Sequence, residues 1–229
     1  MAVKRILSSV AIFAIALAFV GLVASYAMGK SKEPELIAAT PMGTVTTSQG
    51  EMQHVAFELN TYPDSEVPEN FNNDHTDHAD WVSYGPSTRL EVPANSLVTI
   101  TITNYDGGEV LNNTYFKDVV GVEGTAMLNG KPFTSVPPDH VGHTFTLRPA
   151  PVNKNSELFV SVPLLAVPEA DMPEEGYTDS PNVITFSFIV GEAGEYIWNC
   201  EYPCGDGTYA KFGNAMSADR WMSGTLSVV

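Results

Sequence analysis

The only two cysteines of this 229-residue chain, Cys200 and Cys204, stand close together near the carboxyl end. Met216 follows them, and Met222 a little later. Thiolate and thioether sulfurs are soft donors, and they select Cu(I) over hard cations. A thiolate, two imidazoles and a weak methionine make one copper centre of this kind. The interval between Cys204 and Met216 holds no histidine, and His143 is the last in the sequence. The cysteines also have a metal-free reading, a local disulfide, which an oxidising compartment permits and which withdraws both thiolates from any metal.

The donors need a frame, and the pattern around them is that of strands. Glu195 to Trp198 leads into Cys200, and Gly224 to Val229 closes the chain with Leu226 and Val228 on one face. Upstream, His143, Phe145 and Leu147 share a parity within His140–Leu147, so all three face one side. His140 is a second candidate ligand or a loop residue. His54–Asn60 alternates, with Val55, Phe57 and Leu59 inward; Arg89–Asp106 reads as a short strand, a Pro-Ala-Asn turn and a strand in which Val98, Ile100 and Ile102 alternate with threonines, closed by the turn Asn104-Tyr105-Asp106-Gly107-Gly108. Further strands are expected over Leu111–Val122, Ser156–Pro163 and Asn182–Val190, with a loop over Leu128–Pro138 turning at Asn129-Gly130. Many short strands, Gly/Pro/Asn turns and no helical period in this part predict an all-β Greek-key sandwich. At this size the fold buries about 70% of its chain surface and needs neither metal nor disulfide to form.

Tyr62–Ser87 breaks the pattern as a long polar insertion. Within it Asp74–His78 has the residue types of a metal site, and equally those of a solvated acidic loop. Before the sandwich, Lys4-Arg5 precedes an uncharged run from Ile6 to Met28. That run exceeds the roughly 20 apolar residues a bilayer span requires. It predicts a single-pass anchor over residues 1–29, with the amino terminus cytoplasmic and the rest outside. Ser25-Tyr26-Ala27 is a weak cleavage site, and cutting there would release the protein. Residues 30–50 read as a flexible tether and 51–229 as the domain.

Lys plus Arg number 11 against 27 Asp plus Glu, for a net charge of −16. Such a surface excludes nucleic-acid binding, which needs a basic face, and suits a redox partner with a basic one. No nucleophile–base pair and no phosphate-binding glycine loop is visible in the sequence, so no enzymatic activity is expected.

Four segments together resemble the cupredoxin family over Glu51–Val229: Val92–Asn104, Gly142–Leu147, Phe188–Cys200 and Met222–Val229. The resemblance implies His143 as first histidine ligand, Cys200 as thiolate and Met216 as axial candidate, with copper as cofactor. The spacing of Cys200, Cys204 and Gly205 is similar to the bridging cysteines of the CuA domain of cytochrome oxidase subunit II, which implies Cys204 as a ligand too. Where that pattern has a histidine and a methionine, this chain has Thr208 and Lys211. Its glutamate sits one residue early at Glu201, leaving the Tyr202 carbonyl in that place. Three functions are consistent with these residues: an extracytoplasmic electron carrier, a Cu(I)-handling accessory of a terminal oxidase, and a metal-free module locked by a Cys200–Cys204 disulfide.

Overall fold

In a computed structural model of the chain, the described residues are 2–30, 33–63, 81–108, 114–153, 156–174, 176–207, 211–218 and 220–229. They form two units, one ending at Glu33 and one running from Pro34 to Val229.

The first unit is helix α1, Ala2–Lys30. Its described apolar side chains, among them Phe13, Leu17, Phe19, Val20 and Leu22, are exposed. Among the described residues no helix is long and apolar enough to cross a membrane. The transmembrane span expected over Ile6–Met28 therefore finds no support there.

The second unit is the sandwich. Its strands in chain order are β1 (Leu36–Ala38), β2 (Thr40–Thr47), β3 (Gly50–Tyr62), β4 (Ser83–Gly85), β5 (Arg89–Val92), β6 (Ser96–Asn104), β7 (Ala126–Leu128) and β8 (Lys131–Phe133). After them come β9 (Val141–Pro149), β10 (Val160–Leu165), β11 (Asn182–Val190), β12 (Gly194–Asn199), β13 (Asp206–Gly207), β14 (Lys211–Phe212) and β15 (Ser223–Val228). One sheet runs β1-β5-β15-β12-β9-β10 and the other β2-β3-β6-β11-β7-β8, with β4 added on β3.

Alternation explains the main pairing. Val98, Ile100 and Ile102 of β6 are fully buried, as are Phe186 and Phe188 of β11. The two strands pair antiparallel with Ile100 opposite Phe186. On the outer face Thr99 bonds Ser187 at 2.7 Å and Thr101 bonds Thr185 at 3.1 Å. From the other sheet, Trp198 of β12 stacks on Phe145 of β9 at 5.0 Å and meets Tyr84 edge-on at 4.9 Å. Such offset and edge contacts are the favoured aromatic geometries.

Several expectations are corrected. The segment read as a tether over residues 30–50 holds β1, which pairs with β5, and β2, which pairs with β3; the domain therefore starts at Pro34, not 51. Backbone pairing overrides the weak periodicity of this Thr/Pro/Gly-rich stretch. The expected strand over Leu111–Val122 is absent among its described residues, which make only the isolated bridges Asp118–Ser135 and Val120–Ser161. The expected loop from Leu128 instead carries the β7–β8 hairpin, and its turn residues Asn129 and Gly130 have φ of 49° and 74°. Those two positive angles are what a tight hairpin turn demands. The insertion after Tyr62 includes β4, which pairs with β3. Asp74–His78 lies outside the described residues.

Candidate metal centre

Cys200 follows directly on β12, and its backbone N–H donates to the Met222 carbonyl at 2.8 Å just before β15. The central pair of strands thus fixes the first thiol. The chain then bends so that Ala215 N–H donates to Cys204 O at 3.1 Å, while Met222 N–H donates to Ala215 O at 3.1 Å. Gly205, at φ 75°, passes so close that a Cβ there would lie 2.5 Å from the Ala215 Cβ. This packing brings the second thiol back beneath the first.

His143 stands on β9, which pairs with β12. Its Nδ1 lies 3.7 Å from Cys200 Sγ. One ligand atom each of His143, Cys200 and Cys204 falls within 4.8 Å of the others, and all three residues are buried. This is the one His/Cys/Asp/Glu grouping of metal-site size among the described residues. Both cysteines are free thiols, so the disulfide is not formed in this structure. The Tyr202 carbonyl lies 3.1 Å from Cys200 Sγ.

The other expected residues fall out differently. Met216 sits half-buried on the 3-10 turn Ala215–Ser217, packed against the core. Met222 is wholly buried and belongs to the core. His140 points outward, bonded to the Asp139 carboxylate at 3.1 Å with 59% of its side chain exposed, and is not in the buried cluster. Glu201 faces away from the thiols, taking a 3.0 Å ion pair from Arg148 and a 3.1 Å bond from the Asn199 amide.

One participant was not foreseen. Asp106, read from sequence as a turn residue, accepts from His143 Nε2 at 2.6 Å. It lies 37 residues from that histidine, so no local spacing could have exposed the pair. Tyr84 and Thr144 also belong here. Tyr84 donates to Thr144 O at 3.1 Å, and Thr144 Oγ1 accepts from the Glu201 N–H at 2.8 Å.

The electrostatics are those of a charged pair in a dry place. Burial alone pushes Cys200 up, but its hydrogen bonds with Cys204 and His143, the charge of His143 and a backbone contact at Thr144 bring it down to about 5. Burial pushes His143 down, but its hydrogen bonds to Asp106 and Cys200 and the charges of both raise it to about 10. Cys204 is driven well above its ordinary value by burial and by the neighbouring Cys200. One thiolate, one imidazolium and one thiol are the result in the absence of metal. Two sulfurs and one imidazole nitrogen, converging and shielded from water, fit a soft ion such as copper. Displacing the protons of His143 Nδ1 and Cys204 is the condition for loading.

No protein family and no curated protein matches the sequence. Among solved structures the chain is similar to auracyanin B, at 13% identity and TM-score 0.34, covering 84% of this chain and 98% of that one. It is similar to the copper protein rusticyanin at 14% identity and TM-score 0.35, over 91% and 94% of the two chains. A multicopper oxidase aligns at 10% identity and TM-score 0.28, over 77% of this chain and 44% of its own. At such identities and scores the likeness carries no chemistry across.

Proposed function

We propose that this protein is a cupredoxin-like copper protein that carries electrons outside the cytoplasm, tethered by its amino-terminal helix. The observation that carries the reading is the buried convergence of His143, Cys200 and Cys204. His143 belongs to β9, Cys200 adjoins β12, and Cys204 is tied to Ala215 through its carbonyl, which favours donors that would keep their positions when the charge of a bound ion changes. The chemistry copper supplies there is one-electron exchange between its two common oxidation states. The chain's part is to hold two sulfurs and Nδ1 together, to exclude water, and to set the local charge. A net charge of −16 favours a partner with a basic docking face.

For the tether, the support is the Lys4-Arg5 pair ahead of an uncharged run and the exposure of Phe13, Leu17, Phe19 and Leu22 around α1. A helix that is apolar all round seeks a core or a bilayer. Retention in carbonate-washed membranes tests it; full release into the wash would sink it.

Cu(I) handling without electron transfer is the second reading. It is favoured by the second thiol and by the lack of a second histidine among the described residues near the cluster. One experiment separates the two. The full chain, purified in detergent, is loaded with copper, its free thiols are counted, and its visible absorption and redox cycling are recorded. Intense thiolate-to-copper charge transfer that bleaches and returns reversibly supports the carrier. Tight colourless Cu(I) binding supports the handling protein. Two oxidised cysteines and no bound copper would leave a metal-free module.

A further inference from the structure

We propose that Asp106 is a positioning residue: its carboxylate holds the Nε2–H of His143 and so keeps Nδ1 turned toward the two sulfurs. The inference rests on the metal-centre reading above and adds to it the group that decides which ring nitrogen is offered.

The donor and acceptor roles follow from chemistry. An ionised carboxylate has no hydrogen to give. The 2.6 Å contact between Asp106 Oδ2 and His143 Nε2 therefore has its proton on Nε2. Whatever Nδ1 carries, its lone-pair direction faces Cys200 Sγ, 3.7 Å away. Fixing a ligand imidazole through its far nitrogen sets both tautomer and ring orientation.

The loop that delivers Asp106 is built for this contact. Asn104, fully buried at the end of β6, donates from its amide to Asp106 O at 2.9 Å and to Leu165 O at 2.8 Å. Its Oδ1 accepts from the Asp106 N–H at 3.3 Å. Val167 N–H donates to Asp106 O at 3.1 Å, and Gly108 N–H donates to Asp106 Oδ2 at 3.2 Å. The loop also presses on the backbone beside the ligand. A Cβ on Gly108, which has φ 66°, would lie 2.7 Å from the Gly142 Cα, and a Cβ on Gly142 would lie 2.8 Å from the Gly107 carbonyl. Two glycines thus permit an approach that side chains would forbid, immediately next to His143. Asp106 is held by four contacts, three on its backbone and one from the Gly108 N–H to the carboxylate itself, so the ring bonded to that carboxylate is held in turn.

The test uses the full chain in detergent, with 15N-labelled histidine, as wild type, Asp106→Ala and Asp106→Asn. In the metal-free wild type the His143 Nε2–H gives a downfield proton signal that exchanges slowly with water. Asp106→Ala loses that signal, and its Cu(I) affinity, read by competition with a coloured chelator, falls by about 10–100-fold. Asp106→Asn retains an oxygen acceptor, so it keeps the signal and most of the affinity. Because it lacks the negative charge, its copper potential rises, by about 59 mV for each tenfold preference shifted toward Cu(I). A folded Asp106→Ala chain with the protected signal and wild-type affinity overturns the proposal. So do equal losses in the two variants, since they would make the role one of charge and not of positioning. A wild-type chain with no copper affinity overturns the metal reading, while the proton signal still decides whether Asp106 holds the ring.

Discussion

Two loops meet at the His143 ring, one from each side. The loop after β12 brings Cys200 and Cys204 to Nδ1, and the short loop after β6 brings Asp106 to Nε2. The first contributes soft donors; the second contributes hydrogen bonds, backbone closeness and a negative charge. Their construction differs accordingly. The thiol loop is tied at its two ends to β12 and β15, and turns through Gly205 and Ala215. The aspartate loop is fixed through the buried amide of Asn104 and the glycine contact with the strand that carries the histidine. A metal centre therefore needs two kinds of residue, those that bind and those that leave the binder no choice of orientation.

The sharpest way to break the comparison is to remove a donor. Cys200→Ala deletes a wholly buried sulfur that lies next to His143. Its copper affinity should fall by more than the roughly 10–100-fold typical of outer-shell changes, with the fold intact by circular dichroism. Affinity retained within that range would place the metal elsewhere.

The difference between the loops also explains what the sequence disclosed. Cysteines are rare, so their spacing announced the thiol loop at once, and the parity of His143 with Phe145 and Leu147 placed it inward. The alternating strands around Ile100, Phe57 and Leu226 were legible for the same reason: a buried face needs apolar side chains at every second position. Asp106 was not legible. In sequence it belongs to an Asn-Tyr-Asp-Gly-Gly turn, and only the folded chain sets it against a histidine far along the sequence. Strand β1 was missed because the three residues Leu36–Ala38 are too few to show a period, and β2 because a strand of Thr, Pro and Gly carries little of one; both take their form from the neighbour they pair with.

A milder test acts on the aspartate loop without touching its polar atoms. Gly142→Ala would set a methyl group 2.8 Å from the Gly107 carbonyl and push the loop away. Overpacking of this kind costs about 1–3 kcal/mol, readable from denaturant melts. Gly194→Ala is the control, because its Cβ would meet the Asn153 amide nitrogen at 2.4 Å at the end of β12 opposite Cys200. Both variants should lose stability, but only Gly142→Ala should lose the protected His143 proton and weaken copper. Equal effects on copper would mean that general loosening, and not the loop contact, controls the ring.

Acidity separates the two sides of the ring again. His143 is raised from 6.5 to about 10, chiefly by Asp106 and Cys200 acting against burial. Its contribution to folding is complete below pH 6.5 and is lost as pH rises through about 10. Cys200 is lowered from 9.0 to about 5, by Cys204 and His143 acting against burial. Its contribution is complete above pH 9 and is lost as pH falls through about 5. Between 6.5 and 9 the two slopes cancel, so the metal-free protein should show a plateau there, declining on either side. Cys204, raised well above 9.0, steepens the alkaline decline. In Cys200→Ala this pair's acid-side decline should vanish. Melting temperatures across pH for the wild type and this variant check it, and an unchanged acid limb in the variant would assign that limb to other groups.

The smallest effect is expected at the third sulfur of the thiol loop. Met216 is half-buried on the turn beside Cys204 and packs against the core, whereas both cysteines are fully enclosed. A thioether is a weaker donor than a thiolate, so such a sulfur would adjust potential more than affinity. Met216→Leu conserves volume, so it should cost less than about 1.5 kcal/mol. Copper affinity should change far less than in Cys200→Ala, and any shift in potential should be seen without loss of the His143 proton signal. Chelator competition and voltammetry on the same preparation measure both. A drop in affinity comparable to that of Cys200→Ala would promote Met216 to a donor of equal rank. The thiol loop would then supply three strong ligands, and His143, with the aspartate that holds it, would become the lesser side of the centre.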